Sequence, residues 1–321
     1  MHIAPIDRPA DTASEKDNGS SQVPMVWLRG QPHLADYLRF CESKVIDGDK
    51  LDPRELTADW REANDYYYDL EQTEAGIADT IDCRPFDERL SRLRENLEAN
   101  PWFRSSFDNL PYSIELVELD KLVVSQVHVE NGFSHAIAAK LGKDPKPSEL
   151  FRFCLPAERE LPPVDIRRLG ANRYQFTSPS SDFREHDAML LRGDQISHLE
   201  LPGPAAALFG ISVGFGSNFL SAVRSGERTL LQNGYHRSYA LRSAGITHAW
   251  CVVEHVTRKD ELRLTANSDV SDDPEFYFAA KRPPILRDFF DPRIARQFMT
   301  KRVECSVEIE IKVRATSSTS I

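Results

Sequence analysis

The spacing of apolar residues predicts helices in the first third of the chain. Within residues 32–41 they stand at positions i, i+3, i+4 and i+7, which lie on one face of a helix. A second helix is predicted to begin at Pro53, because Asp52 is a good N-cap and an acidic residue follows at the third helical position. Amphipathic spacing returns at 88–96. The segment 25–110 is therefore predicted to be mainly helical.

Alternation of apolar and polar residues, the period of a strand, dominates the rest of the chain. Residues 164–168 and 173–177 flank a Gly/Asn turn and predict a hairpin. Shorter strands are predicted at 188–191 and 196–201. Residues 303–313 alternate throughout, which predicts a half-buried strand that joins the main sheet or pairs with a partner chain. Helices followed by strands predict an α+β fold.

Three further segments carry local signals. Residues 210–217 are rich in glycine but lack the spacing of a dinucleotide fingerprint, so a flexible loop that covers a ligand is predicted there. Asp291 followed by Pro292 predicts the start of a short helix that runs through Met299. The aromatic triplet 66–68 has few basic neighbours, which favours packing between helices over base stacking.

The segment 219–256 carries the most informative pattern of the chain. Residues 219–224 and 228–232 predict a hairpin, and a tight Asn-Gly turn at 233–234 leads from it into a helix. Gly245 stands where a helix C′ glycine is expected, and a strand is predicted to follow. The turn places His236 and Arg237 in the first turn of the helix. Unpaired backbone N–H groups and the helix dipole favour anions at this point, so the pattern predicts a phosphate site.

This order of elements resembles the ParB/sulfiredoxin-like superfamily, which includes ParB-like nuclease domains. The residues that match its motif are Gly234, Tyr235, His236, Arg237, Tyr239 and Ala240. The resemblance is convincing over 218–256, and residues 114–124 look like the opening strand of such a domain. It implies a nucleotide, ATP or CTP with Mg2+, bound by Asn233, Gly234, Tyr235, His236, Arg237 and Ser238.

The sequence departs from two branches of that superfamily. Sulfiredoxins carry a nucleophilic cysteine directly before His-Arg, and this chain has Tyr235 there, which disfavours sulfinic acid reduction. Chromosomal ParB proteins carry a second phosphate box and a helix-turn-helix after the motif, and no such pattern follows Val256. A DNA clamp is therefore disfavoured. The long separation between the opening strand and the motif predicts an insertion.

Three classes of function stay open. The first is a nucleotide-binding protein that hydrolyses or transfers phosphate, with Glu115, Glu118 or Asp182 as general base or magnesium ligand and His236 in the site. The second is a ParB-like nuclease that grips a phosphodiester. The third is a non-catalytic, nucleotide-gated interaction module. Asp182 also belongs to an acidic cluster with His186, which could hold a metal but is more typical of a solvated loop.

Charge separates the candidate partners. Residues 1–110 hold 13 Lys and Arg against 23 Asp and Glu, which accounts for the whole net charge of −10. Long duplex DNA would be repelled by this part, whereas a small anionic ligand needs one local positive pocket. The acidic N-terminal helices or the C-terminal strand are the candidate surfaces for a protein partner. Arg224 and Arg228 lie near the motif in sequence, and Arg242 is expected to point away from it.

Cysteine usage and hydropathy bear on the compartment. The five cysteines form no C-x-x-C pair, which disfavours zinc binding and a disulfide framework and indicates a reducing, cytoplasmic setting. No signal peptide and no membrane span are predicted. The expected organisation is a disordered leader (1–24), a helical region (25–110), a ParB/sulfiredoxin-like core with an insertion (111–260) and a linker with a helix-strand tail (261–321).

Overall fold

The computed structural model describes residues 22–316 except for 32, 143, 159, 181, 202 and 303. Residues 1–21 of the predicted disordered leader lie outside the described residues, whereas its residues 22–24 belong to a strand, Gln22–Leu28, so the prediction is wrong for them. The chain forms two compact units. The larger holds the described residues of Ser20–Arg159 and Ser217–Arg302, and the smaller holds those of Glu160–Gly216 and Val303–Ile321. No helix in the described ranges is both long and apolar enough to cross a membrane.

The predicted helices in the N-terminal third are present. The α-helices are α1 (Leu34–Lys44), α2 (Pro53–Thr73), α3 (Ser91–Glu98), α4 (Pro101–Ser106), α5 (Asn131–Leu141), α6 (Pro147–Cys154), α7 (Tyr235–Ser243), α8 (Leu262–Thr265), α9 (Ser268–Asp272) and α10 (Pro274–Phe278). Asp52 caps α2, since its side chain accepts the Arg54 N–H at 2.8 Å. A 3-10 turn at Glu88–Leu90 leads into α3. The amphipathic pattern of this region therefore predicts its helices correctly.

Strands run through both units, so the fold mixes helix and strand as the α+β prediction required. They are β1 (Gln22–Leu28), β2 (Cys83–Arg84), β3 (Tyr112–Glu118), β4 (Val123–Val124), β5 (His128–Glu130), β6 (Asp165–Gly170), β7 (Arg173–Ser178), β8 (Phe183–Arg192), β9 (Ala207–Phe215), β10 (Ser221–Ser225), β11 (Arg228–Asn233), β12 (His248–Val256), β13 (Ala295–Lys301) and β14 (Cys305–Glu310). Strands β6–β9 and β14 belong to the smaller unit.

A six-stranded sheet forms the centre of the larger unit. Its order is β2-β3-β12-β10-β11-β4, with β12 parallel to β10 and β11 parallel to β4, while the other neighbours are antiparallel. The central strand β12 is buried almost throughout, and its residues 249–253 are all apolar, as in a strand that is covered on both faces. Each fully buried Val or Leu contributes about 1.5–3 kcal/mol by leaving water. This sheet holds β11 and β12, and so fixes both ends of α7.

A three-stranded sheet, β13-β1-β5, corrects two predictions. The segment predicted as a helix from Pro292 through Met299 is largely strand β13, which pairs antiparallel with β1. Phe298 and Thr300 are buried and alternate with the exposed residues 297, 299 and 301, a period of two that outweighs the Asp-Pro start signal. The region predicted to be helical from residue 25 begins instead inside β1, where Val26–Leu28 are buried in the core.

The smaller unit is built from strands. β6 and β7 form the predicted hairpin, and β14 adds to β7, so the C-terminal strand does not join the main sheet. β8 and β9 pair as a second hairpin. The predicted loop at 210–217 is therefore largely strand, because β-formers between its glycines pair with β8. The predicted strand at 196–201 is wrong, since Leu199 N–H bonds the Ile196 carbonyl in a turn.

Candidate functional site

The strand-turn-helix-strand prediction for the motif is confirmed. β11 ends at Asn233, Gly234 makes the turn, α7 follows, and β12 returns to the sheet beside β10. Gly234 has a φ of +95°, in the left-handed region that favours glycine. A Cβ at this position would stand 3.0 Å from Leu220 Cγ. The turn therefore needs glycine for its backbone conformation and for the close approach of Leu220.

The far end of α7 also follows its sequence signal. Gly245 has a φ of +85° and donates its N–H to the Arg242 carbonyl at 3.0 Å. Ile246 donates to the Leu241 carbonyl at 3.0 Å, which completes a Schellman motif. The C-terminal carbonyls of α7 are thus bonded within the helix ending.

The N-terminus of α7 is arranged differently. Gly234 is its N-cap residue and offers no side chain, so the helix starts without a side-chain cap. Asn233 accepts the Gly234 N–H at 2.8 Å, and its amide donates to the Ser217 carbonyl. Asn233 therefore braces the turn without capping the helix amides. The positive end of the helix dipole stands at a turn with no carboxylate in its first helical turn.

His236 is a neutral imidazole at physiological pH. Burial lowers its pKa to about 4, and the neighbouring His128 adds to the shift. Burial also lowers the pKa of His128, which stacks on Trp27 with ring centroids 5.4 Å apart and planes within 8°. His128 comes from β5 and His236 from α7, so a strand and a helix of the larger unit contribute the two imidazoles. The sequence pattern did not single out His128, although His128 and Glu130 alternate around a valine that is buried in the structure.

The guanidinium of Arg237 donates hydrogen bonds to carbonyl groups of the protein. Its Nη1 donates to the carbonyl oxygens of Cys154 at 2.7 Å and Asn218 at 2.9 Å. Its Nη2 donates to Asn218 Oδ1 at 2.5 Å. The guanidinium carbon lies 6.0 Å from the centre of the Phe153 ring. These contacts tie the start of α7 to the end of α6 and to the segment that enters β10, so Arg237 positions the turn.

Tyr235 and Ser238 face the protein interior. The Tyr235 hydroxyl donates to the Leu231 carbonyl at 2.6 Å and accepts the N–H groups of Ser125 at 3.0 Å and Gln126 at 3.2 Å. Burial raises the pKa of Tyr235, which therefore stays a neutral structural hydroxyl. Ser238 is fully buried, and its Oγ has no hydrogen-bond partner in the described part of the chain. A buried hydroxyl of this kind, in the first turns of α7, is an unused donor.

Glu115 belongs to a polar network on the main sheet. Arg224 donates Nη1 to Glu115 Oε1 at 2.9 Å and Nη2 to Oε2 at 2.7 Å. The Ser113 hydroxyl donates to Glu115 Oε1 at 2.6 Å. Ser113 Oγ also lies 2.8 Å from His255 Nε2. Burial alone would raise the pKa of Glu115, but the hydrogen bonds from Arg224 and Ser113 hold it below its ordinary value. An ionised carboxylate bound this tightly is a weak general base.

The other proposed catalytic carboxylates lie elsewhere. Glu118, at the end of β3, accepts the Asp82 N–H at 2.9 Å and lies 3.2 Å from Lys121 Nζ. Asp182 belongs to the smaller unit and pairs with Arg184 at 3.2 Å. Among the described residues there is no group of three His, Cys, Asp or Glu side chains that could hold a metal ion. Roles for these carboxylates in catalysis stay predictions.

The arginines near the motif in sequence also have protein partners. Besides Arg224, Arg228 is buried and donates its Nε to Asp79 at 2.5 Å. Arg242 lies near the C-terminal end of α7, as its sequence position predicts, and donates its Nε to Asp120 at 2.9 Å. The residues that the structure brings together at the start of α7 are therefore Asn233 to Ser238.

Comparisons with models of protein families, with curated proteins and with solved structures found no match to this chain. The relationship to the ParB/sulfiredoxin-like superfamily therefore stays a prediction that rests on the motif. The geometry of the turn and of α7 has to carry any functional argument by itself.

Proposed function

We propose that the first turn of α7 binds the phosphate groups of a nucleoside triphosphate, ATP or CTP. The observation that carries the proposal is the helix start at Gly234, in the left-handed conformation and without a side-chain cap. An uncapped helix N-terminus offers backbone N–H groups and a partial positive charge to an anion. Gly234 supplies the left-handed turn from which the helix starts, a conformation that residues with a Cβ rarely adopt.

His236 supplies the second contribution in this proposal. The imidazole is neutral without ligand, and a phosphate beside it would favour the protonated form. A charge-assisted hydrogen bond to phosphate would then form when the ligand binds. In this proposal Arg237 does not contact the phosphate; its hydrogen bonds to Cys154 and Asn218 hold the turn in place.

Magnesium enters this proposal with the nucleotide. Mg2+ keeps several waters and is bound mostly by substrate phosphates with one or two carboxylates. A hairpin, a glycine turn, a helix and a strand follow one another in the same order in the ParB/sulfiredoxin-like superfamily. We therefore include a distant relationship to that superfamily in the proposal.

Calorimetry with a pair of glycine variants tests the site. Wild-type protein is titrated with ATP, CTP and GTP in the presence of Mg2+, and so are Gly234→Ala and Gly245→Ala. Both variants place alanine in left-handed backbone at an end of α7, but only Gly234→Ala puts a methyl group against Leu220 at the proposed site. We expect Gly234→Ala to lose nucleotide binding and Gly245→Ala to retain it.

The outcome separates two of the three open functions, and nicking of a plasmid in the presence of Mg2+ or Mn2+ would support the third, a nuclease. Absence of heat with every nucleotide at millimolar concentration refutes the site. If a nucleotide binds, release of labelled phosphate from it supports hydrolysis or transfer. Binding without phosphate release supports an interaction module that the nucleotide controls.

A further inference from the structure

A cleft in the larger unit lies beyond the site proposed above. It has a volume of about 510 Å3 and is lined by α2, by Arg242 near the end of α7 and by the segment 282–293. This volume is in the range of small-molecule sites, about 300–1,000 Å3. Four arginines and three carboxylates line it. Each arginine is paired with a carboxylate: Arg282 with Asp288 and Glu74, Arg287 with Glu74, Arg293 with Asp291, and Arg242 with Asp120, which lies outside the lining.

The floor of the cleft is a buried ion pair. Arg282 is 1% exposed and Asp288 is 2% exposed, and they are joined by two hydrogen bonds of 2.7 and 2.6 Å. The Tyr67 hydroxyl donates to Asp288 at 3.2 Å. Asp288 is thus neutralised beneath the surface and adds little repulsion toward an anion above it. This pair makes a rigid polar base that the sequence pattern did not indicate.

Two arginines of the wall keep donors available. Arg242 bonds Asp120 through Nε, and Arg287 bonds Glu74 through Nη2 at 2.6 Å. In the described ranges, the remaining guanidinium N–H groups of Arg242 and Arg287 have no hydrogen-bond partner. Their side chains are 35% and 36% exposed, so water or a ligand can reach them. A guanidinium fork matches two oxygens of a phosphate.

Aromatic rings hold two of the guanidiniums in place. Arg242 lies 4.4 Å from the centre of the Phe290 ring, which stacks on Tyr239 at 4.7 Å. Arg293 lies 3.8 Å from the centre of the Tyr66 ring. Because both rings already contact guanidinium groups, we expect charge, and not stacking on a ring, to decide which ligands bind in the cleft. Positively charged groups fixed before binding lose little entropy when a ligand arrives.

We propose that this cleft binds the phosphoryl group of a small phosphate compound, held by Arg242 and Arg287. The site stands apart from the first turn of α7 and does not depend on the nucleotide proposed there. Inorganic pyrophosphate is the minimal probe, because it carries two linked phosphoryl groups and no ring.

Calorimetry with pyrophosphate tests the cleft. The titration compares wild type, Arg287→Gln, Arg242→Gln and Arg242→Lys with Arg258→Gln, an exposed arginine outside the cleft. Loss of a charge-assisted contact should weaken binding about tenfold or more in each glutamine variant. Arg242→Lys keeps the charge and should recover part of the affinity. Arg258→Gln should bind as wild type does, and thermal melting checks that every variant is folded.

Titrations with other ligands and with Gly234→Ala identify the ligand and separate the two sites. In Gly234→Ala, where the first turn of α7 is expected not to bind a nucleotide, tighter binding of ADP than of pyrophosphate assigns the cleft to an organic phosphate, and equal binding assigns it to the phosphoryl group itself. Tighter binding of citrate overturns the phosphate assignment. Gly234→Ala should leave pyrophosphate affinity unchanged. The proposal is overturned if wild type binds no pyrophosphate, or if Gly234→Ala loses binding and the arginine variants keep it.

Discussion

Acidification should destabilise the larger unit through His236. The imidazole has a pKa of about 4 in the folded protein against an ordinary value of 6.5, so the unfolded chain binds more protons between these two values. The stabilising effect of keeping His236 neutral is fully present above pH 6.5 and is lost as the pH falls toward 4. At about 1.4 kcal/mol per pH unit, the loss across this window is about 3 kcal/mol.

Urea unfolding at several pH values measures this loss. All four tryptophans lie in the larger unit, so their fluorescence reports its unfolding. The free energy of unfolding of wild type should fall steeply from pH 6.5 to 4.5, and that of His236→Gln should fall less. His128 contributes in the same direction, because burial lowers its pKa too. The raised pKa of Glu130 opposes them near the acid end.

The difference between wild type and His236→Gln isolates the contribution of His236. The exposed His33→Gln serves as the control and should follow the wild-type curve. Parallel curves for wild type and His236→Gln would refute the assignment of a buried neutral imidazole.

If a phosphate binds beside His236, nucleotide titrations near pH 6 in two buffers of different ionisation heat should also show proton uptake.

Three further predictions concern stability. Arg237→Ala should lower the free energy of unfolding by about 1.5–3 kcal/mol, measured by urea titration, because its charged hydrogen bonds to carbonyl groups are lost. Asp288→Asn should cost up to about 3–5 kcal/mol, since it breaks the buried pair and leaves Arg282 only the Glu74 carboxylate at 3.2 Å; thermal melting at neutral pH would show a smaller loss if the pair were dispensable. Gly234→Ala should destabilise more than Gly245→Ala in the same melts, because left-handed backbone costs about 1–2 kcal/mol at both positions and the contact with Leu220 is added only at Gly234.

Local signals in the sequence predicted local structure well. Asp52 and Pro53 marked the start of α2, and the glycines at 234 and 245 marked both ends of α7. Each of these signals acts within a few residues, through a cap or a left-handed turn. The motif could be located for this reason, because its turn and helix depend on neighbours in the chain.

The errors arose where pairing with a distant strand decides the conformation. The glycines in 210–217 indicated a loop, yet this segment pairs with β8 as a strand. Asp291 and Pro292 indicated a helix, yet the following residues pair with β1, more than 260 positions away in the chain. Strand pairing stabilises residues through partners that a local pattern does not contain.

The same limit explains the different roles of the two basic residues in the motif. Arg237 was predicted to hold ligand oxygens, because a guanidinium at a helix N-terminus suits phosphate. Its contacts are with Cys154 and Asn218, which come from α6 and from the segment before β10, and no local pattern places those carbonyl groups beside it. His236 became the better candidate for ligand contact once His128 and the burial of both rings were known. Whether a charged side chain binds a ligand therefore depends on which protein groups already form hydrogen bonds with it. At the start of α7 the guanidinium of Arg237 is bonded to protein carbonyl groups, so we propose that the glycine turn and the imidazole of His236 contact the phosphate instead.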